Sequence, residues 1–169
     1  MSHPVHGPNS LRHWPRIIPP WRVVRNFLLI ELQRFLPSLE WKARVLRLTG
    51  MKVGRNVSVG FKAGFDIMWP ELITLQDDCI IGFNSIILAH EFLRVEWRTG
   101  PVVIGEGAVI GANCTILAGV TVGQGAVVSA ASLVNKDVPA GCFAGGVPVR
   151  VLTGRRTIRE TIARDSTRS

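Results

Sequence analysis

Six successive hexads govern what this chain can fold into. From Ile104 the sequence divides as IGEGAV, IGANCT, ILAGVT, VGQGAV, VSAASL and VNKDVP. The first position is always Ile or Val, the second is Gly in three of the six, and the fifth stays small. A six-residue period of this kind is the sequence sign of a parallel β-helix. Three hexads close one triangular coil. The aliphatic first residue points inward and stacks on its equivalents in neighbouring coils, the small fifth residue fits near a corner, and Gly permits the backbone of the turn. One coil cannot bury its own inner face, so the repeats must stack.

The register extends towards the N-terminus. LQDDCI, IGFNSI and ILAHEF begin at Leu75, Ile81 and Ile87, and VGRNVS and VGFKAG begin at Val53 and Val59. The spacing slips between Phe65 and Leu75, and a loop at about 92–101 interrupts it again. Residues 1–19 read as a flexible arm, with Pro4, Pro8, Pro15 and Pro19. From Trp21 to Leu36 good helix formers predict a helix, with apolar residues at 24, 27, 28, 32 and 35. Pro37 stops it, Ser38 caps a second helix over LEWKARVLRL, and Gly50 ends that one. Both helices are expected to pack on the body. Weak peripheral attachment to an anionic membrane is the alternative, since each carries Arg or Lys beside an apolar face. The expected organisation is mainly β: an arm at 1–19, a helical segment at 20–50, a β-helix at 51–152, and a basic, partly helical tail at 153–169.

Charge separates the ends from the body. Residues 1–50 carry a net +6, residues 51–150 a net −1, and residues 151–169 a net +3. Basic ends attract anionic partners, but no zinc-finger spacing or aromatic single-strand platform accompanies them, so nucleic acid is not an expected partner. The cysteines Cys79, Cys114 and Cys142 form no C-x-x-C pair, which argues against a disulfide framework and a zinc site. No apolar run approaches the ~18–20 residues of a bilayer span, and residues 1–14 do not read as a secretory signal. The cytoplasm is the expected compartment.

The hexads, closing in VNKDVPAGCFAGGVPVRVL, resemble the hexapeptide-repeat acyltransferase family over about residues 51–152, nearest the galactoside and maltose O-acetyltransferases. The resemblance implies a left-handed β-helix, a homotrimer with sites between subunits, and acetyl-CoA as acyl donor with no metal. His90 matches the family's catalytic base, before the loop and ahead of the I-G hexads. Histidine suits that task as a residue type, since it titrates near neutral pH. The implied reaction is direct transfer of acetyl to a hydroxyl, or an amine, of a sugar or other small acceptor, with backbone N–H groups stabilising the oxyanion. Glu91 is a candidate to orient His90, with a structural role at the fifth hexad position as the alternative. For the cofactor, Ala112 and Ala130 match positions where the pantetheine arm runs close to the backbone. Asn135 and Lys136 match the turn near the nucleotide, and Arg150, with Arg155 and Arg156 beyond it, suits the phosphates.

Two departures touch the acceptor. Val109 stands where the sugar-acetylating relatives usually carry Trp, and VGFKAGF lacks their early Asn. FDIMWPEL offers Asp66, Trp69 and Glu71 instead, with Arg98 in the loop, and these are the expected acceptor-side residues. A metal-dependent β-helix hydratase needs three histidines. The repeat body holds only His90, with His3, His6 and His13 in the arm. The remaining alternative is a non-catalytic assembly protein on the same fold.

Overall fold

The computed structural model of the chain describes residues 1–7 and 9–153; the expected tail from 154 onward, with Arg155 and Arg156, lies outside the described residues. The hexads form a parallel β-helix of three walls. The first wall holds strands Lys52–Val53, Ile73–Leu75, Val102–Ile104 and Thr121–Val122. The second holds Ser58–Val59, Ile80–Ile81, Val109–Ile110, Val127–Val128 and Phe143–Gly145, with Arg150–Thr153 added antiparallel. The third holds Gly64–Phe65, Ile86–Ile87, Thr115–Ile116 and Leu133–Val134. Ile104 pairs with Val122, Ile110 with Val128 and Ile116 with Val134, each three hexads apart.

The inward positions are those that the period marks. Leu75, Ile81, Ile87, Ile104, Ile110, Ile116, Val122, Val128 and Val134 are all buried and belong to one core. The small fifth residues Ala63, Cys79, Ala108, Cys114 and Ala126 fill its corners. Corners repeat as well as walls. Between the first and second walls a left-handed backbone recurs in each coil, at Asn56, Asp78, Gly107, Gly125 and Gly141.

Every coil hydrogen-bonds only to its neighbours, so the first coil has an open edge. The helices satisfy it. α1 (Trp14–Ile17) leads into α2 (Pro20–Phe35) and α3 (Leu39–Leu48). Ser38 caps α3 by accepting from the Trp41 N–H, and Gly50 ends it at φ +97°, as expected. Asn26 donates to the Ile67 carbonyl at 3.0 Å and Gln33 to that of Ala63 at 2.7 Å. The Lys42 ammonium donates to Val59 and Gly60, and Arg47 to Val53 and Gly54. Burial lowers the pKa of Lys42.

This edge reverses the expected helix orientation. The helices do pack on the body, but α2 turns Val23, Asn26, Ile30 and Gln33 inward. The apolar residues at 24, 27, 28, 32 and 35 face outward. The reason is that a strand edge needs donors, which an aliphatic stripe cannot supply.

The two breaks in register are insertions at one corner, between the third and first walls. Residues 66–72 leave the coil after Phe65. The expected loop is a β-hairpin, His90–Phe92 with Glu96–Thr99. Its base is closed by Gly100 N–H donating to the Ala89 carbonyl at 3.0 Å. The segment read as an arm is docked on this hairpin: Ser2–Pro4 pairs antiparallel with Glu96–Thr99, and His3 stacks on Trp97 at 3.9 Å.

Two glycines of one coil separate contact from conformation. A Cβ on Gly105 would come within 2.6 Å of the Gln124 nitrogen, whereas one on Gly107 (φ +62°) meets nothing within 4 Å. Gly105→Ala should destabilise by on the order of 2 kcal/mol, as overpacking does. Gly107→Asn should stay within about 0.5 kcal/mol, because Asn tolerates the left-handed region. Urea unfolding of the two variants checks both; equal losses would contradict this account.

Candidate active site

Because the coils tolerate extra residues only at corners, the insertion after Phe65 and the hairpin after Ala89 stand on adjacent coils of one edge. That stacking brings Asp66 to His90. The Asp66 carboxylate is buried and accepts four hydrogen bonds. Oδ1 takes the N–H groups of Met68 (2.8 Å) and Trp69 (3.0 Å), and Oδ2 takes the Ala89 N–H (2.8 Å) and His90 Nδ1. Burial works to raise the Asp66 pKa. The hydrogen bond and charge of His90, with the backbone N–H groups of Trp69 and Ala89, outweigh it and hold the carboxyl below the usual carboxylate value. With Nδ1 held on a carboxylate, the favoured neutral tautomer carries its proton there and leaves Nε2 as the acceptor nitrogen.

Aromatic rings wall the histidine. Trp69 lies 5.0 Å from the His90 ring and stacks on Trp97 at 5.2 Å, while Phe92 meets His90 edge-on at 5.2 Å. The side chain of His90 is 16% exposed, so the site is sheltered but reachable. Among the described residues no group of three or more His, Cys, Asp or Glu is arranged to hold a metal ion.

The expected site residues divide. Asp66 meets His90, but from behind: buried and fully bonded, it is not placed to face an acceptor. Trp69 joins the aromatic wall. Glu71 is instead tied to Arg22 of α2 at 2.5 Å. Arg98 does not reach His90. It pairs across the hairpin with Glu91, whereas His90 pairs with Thr99, so alternation puts Arg98 and Glu91 on the opposite face, where Arg98 bonds Glu96. The hexad ILAHEF breaks at Ala89, and Glu91 therefore takes neither the inward fifth position nor the orienting place, which Asp66 holds. Asp66 could have been found by setting Phe65 opposite Ile87 in adjacent coils, their register in the structure. The lengths of the two insertions hide that alignment in the sequence.

The expected cofactor residues lie on two edges of the prism. Asn135 and Lys136 are exposed at the same edge as His90, two coils further on. Ala112 and Ala130 are at the next corner, between the second and third walls. There the Asn84 N–H donates to the Phe61 carbonyl, Asn113 to that of Phe83 and Ala131 to that of Ala112. The column thus runs Phe61, Phe83, Ala112, Ala130 and narrows from phenylalanine to alanine. Arg150 is exposed on the antiparallel strand of the second wall.

Residues 101–136 match the family model described as a hexapeptide repeat of succinyl-transferase. "Putative acetyltransferase YvoF" of Bacillus subtilis (strain 168) is 45% identical over 165 residues, covering 97% of this chain and 96% of that protein. Among solved structures, the hexapeptide-repeat acetyltransferase VCA0836 from Vibrio cholerae superposes with a TM-score of 0.68 at 21% identity, over 80% of this chain and 92% of the other. A galactoside acetyltransferase in complex with coenzyme A gives 0.64 at 23% identity, over 81% and 82%. These likenesses agree with the hexads, the three walls and the left hand of the coil, and the chain belongs to the hexapeptide-repeat acyltransferase family.

Proposed function

We propose that this protein transfers the acetyl group of acetyl-CoA to a hydroxyl of a saccharide or other small acceptor, with His90 as general base. The observation that carries the reading is the buried carboxylate of Asp66 on His90 Nδ1. Burying a carboxylate is costly unless its hydrogen bonds are made, and here they hold one imidazole nitrogen so that the other is free for chemistry. A scaffold has no use for such a pair. His90 Nε2 takes the proton of the acceptor hydroxyl as its oxygen attacks the thioester carbonyl. The C–S bond then breaks, CoA leaves as thiolate, and the imidazolium returns the proton to sulfur. The products are an acetyl ester and free CoA. An alcohol needs this base more than an amine does, which favours O-transfer. Trp69, beside His90, is the candidate acceptor wall.

Donor binding is assigned to Ala112, Ala130, Asn135, Lys136 and Arg150. The third wall separates Ala112 and Ala130 from His90, so one chain does not gather the set. A cyclic trimer, in which one subunit's histidine edge meets its neighbour's alanine column, would do so. Exposed Phe61, Ile80, Phe83 and Ile86 on the β-helix give such a contact an apolar surface. The buried, unpaired thiols of Cys79 and Cys114 suit a reducing compartment, in keeping with a cytoplasmic enzyme.

His90→Ala should lower kcat by about two or more orders of magnitude while leaving acetyl-CoA binding intact. Normal turnover in that variant would remove His90 from the mechanism.

Asp66→Asn should lower kcat and also change the acid limb of stability. A carboxyl held below its ordinary value stabilises the fold above the carboxylate range, and that contribution fades as pH falls through the lowered value. Melting temperatures measured across acid pH should therefore fall less steeply for Asp66→Asn than for the parent protein.

Replacing Lys136 and Arg150 together by Ala should raise the Michaelis constant for acetyl-CoA severalfold. The effect should shrink with a donor lacking the 3′-phosphate and with added salt. An unchanged constant would return both residues to plain solvated surface. Light scattering at micromolar concentration should report a trimer, and a fully active monomer would exclude the shared site.

A further inference from the structure

α2 lies on the body the opposite way round from an ordinary amphipathic helix. Two of its four inward residues, Asn26 and Gln33, are polar and donate to backbone carbonyls of the insertion and of the first coil, Ile67 and Ala63. Its outward residues include Trp21, Val24, Leu28, Leu32 and Phe35, each more than half exposed. Each is three or four residues from the next, so they form one stripe along the helix. The core does not use this stripe, and a contiguous apolar surface of this length marks a face that something covers.

The groups around the stripe identify the covering chemistry. The Arg25 guanidinium lies 5.7 Å from the Trp21 ring centroid, and Arg44 of α3 lies 5.4 Å from that of Trp41. All four side chains are exposed. Each pair sets a cation against an amphipathic ring, the combination that suits a layer of anionic headgroups over hydrocarbon. Of the six Lys or Arg in residues 20–50, Arg22 and Arg34 pair with Glu71 and Glu31, and Lys42 and Arg47 bond carbonyls of the β-helix, which leaves Arg25 and Arg44 as the cations turned outward. A second copy docking through the same face would set cation against cation, whereas an anionic surface complements it. No helix among the described residues is long and apolar enough to cross a membrane, so the fitting mode is a helix lying in the interface. We propose that α2, with Trp41 and Arg44 of α3, is a docking face for an anionic phospholipid bilayer. The cap of the β-helix would then hold the catalytic edge beside the membrane.

The test is flotation of the full chain with vesicles of phosphatidylglycerol and phosphatidylcholine, against phosphatidylcholine alone. Binding is expected only to the anionic vesicles, and it should weaken as salt is raised. Leu28→Glu with Leu32→Glu should abolish it. Arg25→Glu with Arg44→Glu, which leaves the stripe intact, should weaken it by about thirtyfold or more. Circular dichroism and thermal melting check that each variant folds. Failure of the parent protein to bind anionic vesicles at low salt overturns the proposal, as does parental affinity in the arginine variant. A leucine variant that changes oligomeric state, in a parent that ignores vesicles, would assign the stripe to a contact between copies instead. If the leucine variant does not fold, the arginine variant alone decides.

Discussion

The confinement of each coil's hydrogen bonds to the coils above and below controls the rest of the molecule. Stacked walls leave no freedom along the strands. A residue added inside a wall would shift every inward aliphatic to the outside. Extra chain can enter only at corners, and the two insertions do so at one corner of adjacent coils. The Asp66–His90 pair is a product of that restriction, because a carboxylate and an imidazole far apart in sequence become neighbours when their insertions stack. The same restriction leaves the first coil with unbonded carbonyls, and the chain answers it with Gln33, Lys42 and Arg47.

Energetics separate the two kinds of polar burial. At the helical cap, neutral amides and cations donate to backbone carbonyls that would otherwise lack partners, and each bond contributes about 1 kcal/mol net. At Asp66 four donors converge on one charged group. The arrangement is stiff, since the Met68 and Trp69 N–H groups belong to one insertion while Ala89 and His90 begin the other. Moving either insertion would strand a charge in a dry place, so the pair that tunes the histidine also locks the relative position of the two segments.

The sequence makes the β-helix legible because its inward positions recur with one period, and helix ends are legible where one residue does the work, as Ser38 and Gly50 do. Other features depend on relations between distant segments. The partnership of Asp66 with His90 required knowing how two insertions of unequal length stack. The placement of Arg98 required the hairpin register, which sets Glu91 opposite it and turns both away from His90. The orientation of α2 was hidden by the ordinary rule that apolar faces point inward, which fails where a helix must serve a strand edge. His90 came from a resemblance, and its bond to the buried Asp66 is a feature that its position alone did not reveal.

The closed base of the hairpin, Gly100 bonded back to Ala89, has an evolutionary consequence. It makes the segment between them a cassette. The coil enters and leaves at adjacent points, so residues inside the cassette can be lengthened, shortened or exchanged without moving the prism behind them. Trp97 lies within it, while the carboxylate that fixes His90 is anchored outside. Lineages sharing this prism can therefore diversify by rewriting the stretch beyond His90, while the Asp66–His90 pair at its foot stays unchanged.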